Sequence, residues 1–155
     1  RSCSPAMFQL ADRKINEDVV VPLHRQVDLV RFAARLEREL QLPVVVFGHA
    51  ADGNLHVNFM YDHDDPVAVR RAHEGVERLF EKVVALGGAI SGEHGIGLAK
   101  SPYLDVQHSA AEIKAMRALK QALDPNGVLN PGKIFAETDI WDMEKVDDRF
   151  PWDQA

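Results

Sequence analysis

The sequence predicts an α+β fold of ferredoxin-like type, β-α-β-β-α-β: an antiparallel sheet with helices on one face, plus an additional C-terminal helix. Three observations carry this. Two long segments, 23–40 and 66–86, repeat their apolar residues at helical spacing. Short β-branched or strictly alternating runs lie before and between them. Proline and glycine punctuate the junctions.

Each element has its own reason. Residues 18–22 (Asp-Val-Val-Val-Pro) read as a buried strand, β-branched and closed by proline. From Leu23 to Leu40, Leu29, Phe32, Ala33, Leu36 and Leu40 form one face, with Arg31, Arg35 and Arg38 on the other. Val44-Val45-Val46-Phe47 is a second strand running into Gly48-His49. The turn Ala51-Asp52-Gly53-Asn54 leads to a third, in which Leu55, Val57 and Phe59 oppose His56, Asn58 and Met60. Asp65-Pro66 opens a helix, as an N-cap followed by proline at its first position. Val69, Ala72, Val76, Leu79, Phe80 and Val83 face inward, and Gly87-Gly88 ends it. Ala89-Ile90 is expected as a short last strand. Ser109-Ala-Ala-Glu112 is a capping box for a third helix packed through Ile113, Met116, Leu119 and Leu123, ended by Asp124-Pro125.

Residues 1–135 are expected to form one domain and 136–155 an acidic tail or linker, in which Trp141 and Trp152 are candidate anchors. The net charge of −6 disfavours nucleic acid as a partner, because phosphate binding needs a positive face. A single cysteine, Cys3, permits no internal disulfide and points to a reducing cytoplasm. No apolar stretch approaches a membrane span, and the start carries no signal-peptide pattern. Arg1 in place of methionine suggests a segment of a longer protein.

Seven of the ten glycines fall in two stretches, Gly48–Gly53 and Gly87–Gly97. Glycine serves where backbone turns tightly or approaches something closely, and each stretch also holds histidine and carboxylate. His49 ends one strand and His56 begins the next, so both imidazoles can enter one space. Two histidines and a carboxylate make a common open metal site, and Glu93 could complete it. The competing reading is polar loop residues bonded to backbone. His24, His63, His73 and His108 lack any second feature, and Asp52 suits ordinary turn chemistry. Asn58 lies one pleat beyond His56, placed either to meet a substrate or to tie down a loop. Ser91-Gly92-Glu93-His94-Gly95-Ile96-Gly97 has the glycine content of a phosphate cradle without its Lys-Ser/Thr. A ligand beside a general base is the better use of adjacent Glu and His.

These motifs together, Gly48-His49 with Asp52-Gly53-Asn54-Leu55-His56, Ser91 to Gly97, and Asn130-Pro131-Gly132-Lys133, resemble the C-terminal domain of FAD-linked oxidases. That is the family of D-lactate dehydrogenase, the glycolate oxidase FAD subunit and D-2-hydroxyglutarate dehydrogenase. The resemblance runs from about Arg1 to Phe135. It implies His49, His56 and Glu93 as metal ligands, His94 as catalytic base, Asn58 and Arg1 as substrate contacts, and Asn130 beside the cofactor. Arg1 would pair with the substrate carboxylate, a bidentate task suited to a guanidinium. Lys14 stands near a lysine that relatives place before the first strand. Ala51 departs from the family's usual glycine, at a strain of about 1 kcal/mol if that backbone needs positive φ.

The resemblance further implies FAD held mainly by an N-terminal domain of the same protein, absent from this chain. The divalent metal is expected to be zinc, with manganese or iron fitting nearly as well. A small 2-hydroxyacid would be oxidised to a 2-oxoacid, His94 taking the hydroxyl proton and hydride passing to the flavin. The motifs single out no particular hydroxyacid and no electron acceptor. The fragment is expected to be inactive alone, cytoplasmic or peripheral at the inner membrane through the full-length protein. Two rivals remain: a metal-dependent hydrolase, and a non-catalytic ferredoxin-like assembly module.

Overall fold

A computed structural model describes residues 3–135; Arg1 and the acidic tail lie outside them. The chain divides into two units, Arg1–Gly95 and Ile96–Ala155.

The first unit opens with a short helix, α1 (Cys3–Met7), and then builds an antiparallel sheet from β1 (Arg13–Val20), β2 (Val44–His49) and β3 (Asn54–Tyr61). Strand order is β1-β3-β2. The predicted first strand is longer and starts earlier than 18–22, pairing with β3 over its whole length from Arg13↔Tyr61 to Val20↔Asn54. Its polar residues Asn16, Glu17 and Asp18 concealed it, because composition marked only the β-branched end. Val44↔Phe59 to His49↔Asn54 fixes the β2–β3 register.

The helix expected over 23–40 begins as a 3-10 turn, Leu23–Arg25, and continues as α2 (Gln26–Leu40). Leu29, Phe32, Ala33, Leu36 and Leu40 are its buried residues, as the periodicity requires. In α3 (Pro66–Ala85), Asp65 accepts from the N–H groups of Val67 and Ala68, so the N-cap stands as expected. Ala68 and Gly75 join the buried face, while Val69 is only half-buried. Helices α2 and α3 pack on the face formed by Leu55, Val57 and Phe59. A side chain at Gly75 would collide with the Phe59 ring and meet Leu40, so helix and sheet touch there at backbone distance.

The last strand, Ala89-Ile90, is reduced to a single bridge, Val20↔Ala89. It gives the order Ala89–β1–β3–β2. Gly87, at φ +77°, ends the helix beside it, and the chain enters an irregular loop at once, leaving no room for a longer ladder.

In the second unit a 3-10 turn, Ser101–Tyr103, precedes α4 (Leu104–Gln107) and α5 (Ala110–Leu123). The capping box of α5 is present, with Ser109 and Glu112 each satisfying the other's backbone N–H. Its expected packing face is not buried: Leu119 is 63% and Leu123 75% exposed. Helical periodicity found the apolar stripe correctly, but periodicity alone does not say what covers it. No described helix is long and apolar enough to cross a membrane.

Candidate metal and substrate site

The face of the sheet away from α2 and α3 carries Asn16 and Asp18 on β1, Phe47 and His49 on β2, and Asn54, His56 and Asn58 on β3. His56 stands between Asp18 and Phe47 in the cross-strand register. Two glycines make the hairpin close enough. A Cβ at Gly48 would lie 2.3 Å from the Asn54 carbonyl oxygen, and Gly53, at φ +76°, would put one 2.2 Å from that of Val21. Asp52 is exposed in the turn, its N–H donating to His49 O at 3.0 Å, which matches its turn role. Ala51 carries no strain, since Gln41, Asn130 and Ile134 are the described non-glycine residues at positive φ.

The loop after Ala89 delivers Glu93 and His94 to the same place. Its backbone is held by Asp18, which is fully buried and whose Oδ2 accepts from the N–H groups of Gly92 (2.9 Å), Glu93 (2.7 Å) and His94 (2.9 Å). Three successive N–H groups aimed at one anion form a backbone nest. Here the anion is the chain's own carboxylate. The phosphate-cradle reading of this loop is thereby excluded, because the donors that would hold a phosphate are already used.

Glu93 is the hub. Its Oε1 lies 3.3 Å from His56 Nε2, 3.8 Å from His94 Nε2 and 3.9 Å from His49 Nε2. His94 stacks on His56 with ring centroids 5.3 Å apart, while His49 meets His56 edge-on at 5.8 Å. The His56 side chain is only 10% exposed, whereas those of His49, Glu93 and His94 are 48–59% exposed. The cluster is therefore rooted in the sheet at His56 and open on the side of the other three. Ligand atoms of Asp18, His56, Glu93 and His94 all lie within 4.8 Å of one another, a spacing that suits a metal ion. His49 sits at the margin of this group.

The buried polar atoms test the fit. Asn54 Oδ1, His56 Nδ1, Asn58 Oδ1 and Ser91 Oγ have no hydrogen-bond partner among the described residues. Such a concentration of unsatisfied groups is costly unless something else pairs with them. Two imidazoles and a carboxylate converging beside them are a donor set for zinc, manganese or iron. Asn58 is fully buried, and its Nδ2 donates to Val45 O (3.2 Å) and His56 O (3.4 Å). That amide ties β3 to β2, leaving only Oδ1 for a ligand.

The four residues named from the two glycine-rich stretches, His49, His56, Glu93 and His94, are thus brought together. Asn58 shares their face of the sheet, Asn130 is exposed in the second unit at φ 46°, and Arg1 lies outside the described residues. Asp18 is the residue that sequence reasoning missed. The available signal was a carboxylate inside a buried strand, which demands partners. His63 pairs instead with Asp12 and Asp64.

An α+β domain with an open histidine–carboxylate cluster at a sheet end defines the class. The profile of the family "FAD linked oxidases, C-terminal domain" matches residues 7–134, and the chain belongs to that family. It is 39% identical over 137 residues to the glycolate oxidase subunit GlcD of Bacillus subtilis, covering 88% of this chain and 29% of that protein. With the D-lactate dehydrogenase of Anaerostipes hadrus it shares 37% identity over 118 residues, 76% of this chain and 25% of the relative. With the D-2-hydroxyglutarate dehydrogenase of Stutzerimonas stutzeri it shares 44% over 95 residues, 60% and 20% respectively. The chain spans less than a third of the length of each relative.

Proposed function

We propose that this domain supplies the metal and the substrate side of a 2-hydroxyacid dehydrogenase, with His49, His56 and Glu93 as metal ligands and His94 as base. The observation that carries the reading is the single oxygen Glu93 Oε1 within 3.3–3.9 Å of three imidazole Nε2 atoms. Bound there, a divalent ion such as zinc supplies Lewis acidity toward substrate oxygens, and FAD supplies the hydride acceptor.

The chain's own residues do the rest. His94, half exposed and stacked on the buried His56, accepts the substrate hydroxyl proton at its ring nitrogen. Asn58 offers the unpaired Oδ1 to a substrate donor, and Arg1 pairs with the carboxylate. The FAD is held by a further, N-terminal domain, in keeping with a glycine-rich loop whose donors are already taken by Asp18. Asn130–Lys133 and the nearby stripe of Met116, Leu119, Leu123 and Ile134 form the side that meets it, since exposed apolar patches of this kind mark interfaces. Family membership favours this redox reading over the hydrolase and the assembly module, and the chain alone turns over no hydroxyacid.

Elemental analysis of the chain prepared without chelator, beside His56→Ala and His94→Ala, tests the assignment. The expected result is about one divalent ion per chain in the parent and in His94→Ala, and none in His56→Ala. A metal-free parent would end the reading. Loss of the ion in His94→Ala would instead make His94 a ligand and remove it as base, an outcome its place in the four-residue group makes worth separating.

A further inference from the structure

We infer that Asp18 is the positioning residue of this site: one buried carboxylate on β1 sets where Glu93 and His94 stand relative to His56. The inference deepens the metal-site reading and rests on it for one of its two measurements.

Asp18 lies directly across from His56 in the β1–β3 register. From that place its Oδ2 takes the backbone N–H groups of Gly92, Glu93 and His94, and its carbonyl oxygen also faces the Gly92 N–H at 3.4 Å. The loop after Ile90 has no regular secondary structure, and its glycines give it many alternatives to this conformation. Three charge-assisted bonds to one oxygen select a single one. The strand that neighbours the buried ligand therefore also fixes the backbone from which the exposed ligand and the base project.

The chemistry requires an anion at this point. Three converging N–H dipoles leave positive potential that a carboxylate answers fully and a neutral carbonyl only in part. Alanine would leave the three donors unpaired where they are partly shielded from solvent. Asparagine in the same place would retain one acceptor oxygen, but it would add an N–H₂ group that the donors repel. Asp18→Asn is thus a partial replacement, and Asp18→Ala a full loss. The role is one of support through Oδ2, which the loop N–H groups occupy: groups that orient ligands change metal affinity by fixing where those ligands stand.

The test uses the parent chain, Asp18→Ala, Asp18→Asn and, as control for the metal reading, His56→Ala. The first measurement needs no metal: amide hydrogen exchange at Gly92, Glu93 and His94, referred to the Val57 and Phe59 amides of the same sample. In the parent the three loop amides are expected to be protected. In Asp18→Ala their protection should fall at least about tenfold more than that of the β3 amides, with Asp18→Asn between. The second is cobalt(II) titration by visible absorption. Affinity should drop by about 10–100-fold in Asp18→Ala and less in Asp18→Asn. Loop amides unprotected in the parent, or equally protected in all variants, would overturn the inference. So would released amides with unchanged cobalt affinity. If Asp18→Ala does not fold, the parent protection and the Asp18→Asn comparison decide. A parent that binds no cobalt refutes the metal reading, while the exchange data still judge Asp18.

Discussion

Gly92→Ala offers the sharpest test of how tightly the loop is seated. A Cβ built there would lie 2.6 Å from Asn54 Oδ1, 2.8 Å from Asn54 Cγ and 2.8 Å from Asp18 Oδ1. Ordinary contacts begin near about 3.5 Å, so the atoms must part by roughly 0.7–0.9 Å. Neither neighbour is the loose end of a surface chain: Asn54 is 7% and Asp18 0% exposed. Overpacking of this kind costs about 1–3 kcal/mol. Moving Asp18 also lengthens its bonds to the loop, and losing one charge-assisted bond adds about 1.5–3 kcal/mol. Against this, alanine lowers the entropy of the unfolded chain by an amount that stabilises by about 0.4–1 kcal/mol. The balance is a loss of about 1.5–5.5 kcal/mol.

Urea unfolding followed by circular dichroism measures it, as a lower midpoint with unchanged slope. Gly95→Ala is the internal control. Gly95 sits at φ +77° with nothing within 4 Å of a Cβ, so it exerts backbone strain alone, about 1–2 kcal/mol. Stability of Gly92→Ala within about 0.5 kcal/mol of the parent would refute the steric argument. A larger loss in Gly95→Ala than in Gly92→Ala would do the same.

Two further predictions follow from packing and charge. In Gly75→Ala, better helix propensity favours the variant by about 1 kcal/mol, but the Cβ would meet Phe59 Cε1 at 2.5 Å and Leu40 Cδ1 at 3.0 Å. Overpacking against a buried ring should win, giving net destabilisation of up to about 2 kcal/mol in the same urea assay, and a stabilised variant would show that the ring yields freely. In the second unit, the Lys120 ammonium, followed by the N–H groups of Leu129 and Val128, holds the Asp124 carboxyl below its usual range. A depressed folded value means the contribution to stability is complete above the ordinary carboxyl pKa of about 3.9 and lost as pH falls through the lower folded value. Protection factors of the Val128 and Leu129 amides, corrected for the intrinsic pH dependence of exchange, should therefore hold at about pH 5 and fall only below about pH 4; protection persisting to full protonation would contradict it.

How much of this was legible in the sequence depended on how far apart the interacting parts lie. Asp65 and Ser109 cap helices through N–H groups two or three residues away, so a short window contains both partners. His49 and His56 belong to one hairpin, and their convergence follows from strand alternation and a tight turn. Asp18 is different in kind. Its partners come 74–76 residues later, and within its own segment it is only a polar residue interrupting a β-branched run. Sequence separation likewise hid the first half of β1, whose full pairing is decided by β3. Leu119 and Leu123 show the converse case: a local pattern that is correct as a stripe and silent on its cover.

The site therefore has two origins. The hairpin half is written locally, in glycines and histidines that lie within one short stretch of chain. The loop half is local only in composition; its geometry depends on a distant carboxylate. If that carboxylate did no more than stabilise the sheet, its oxygen would have no reason to collect the N–H groups of the two residues that complete the cluster. That it holds Glu93 and His94 together with the glycine before them ties folding of β1 directly to assembly of the site.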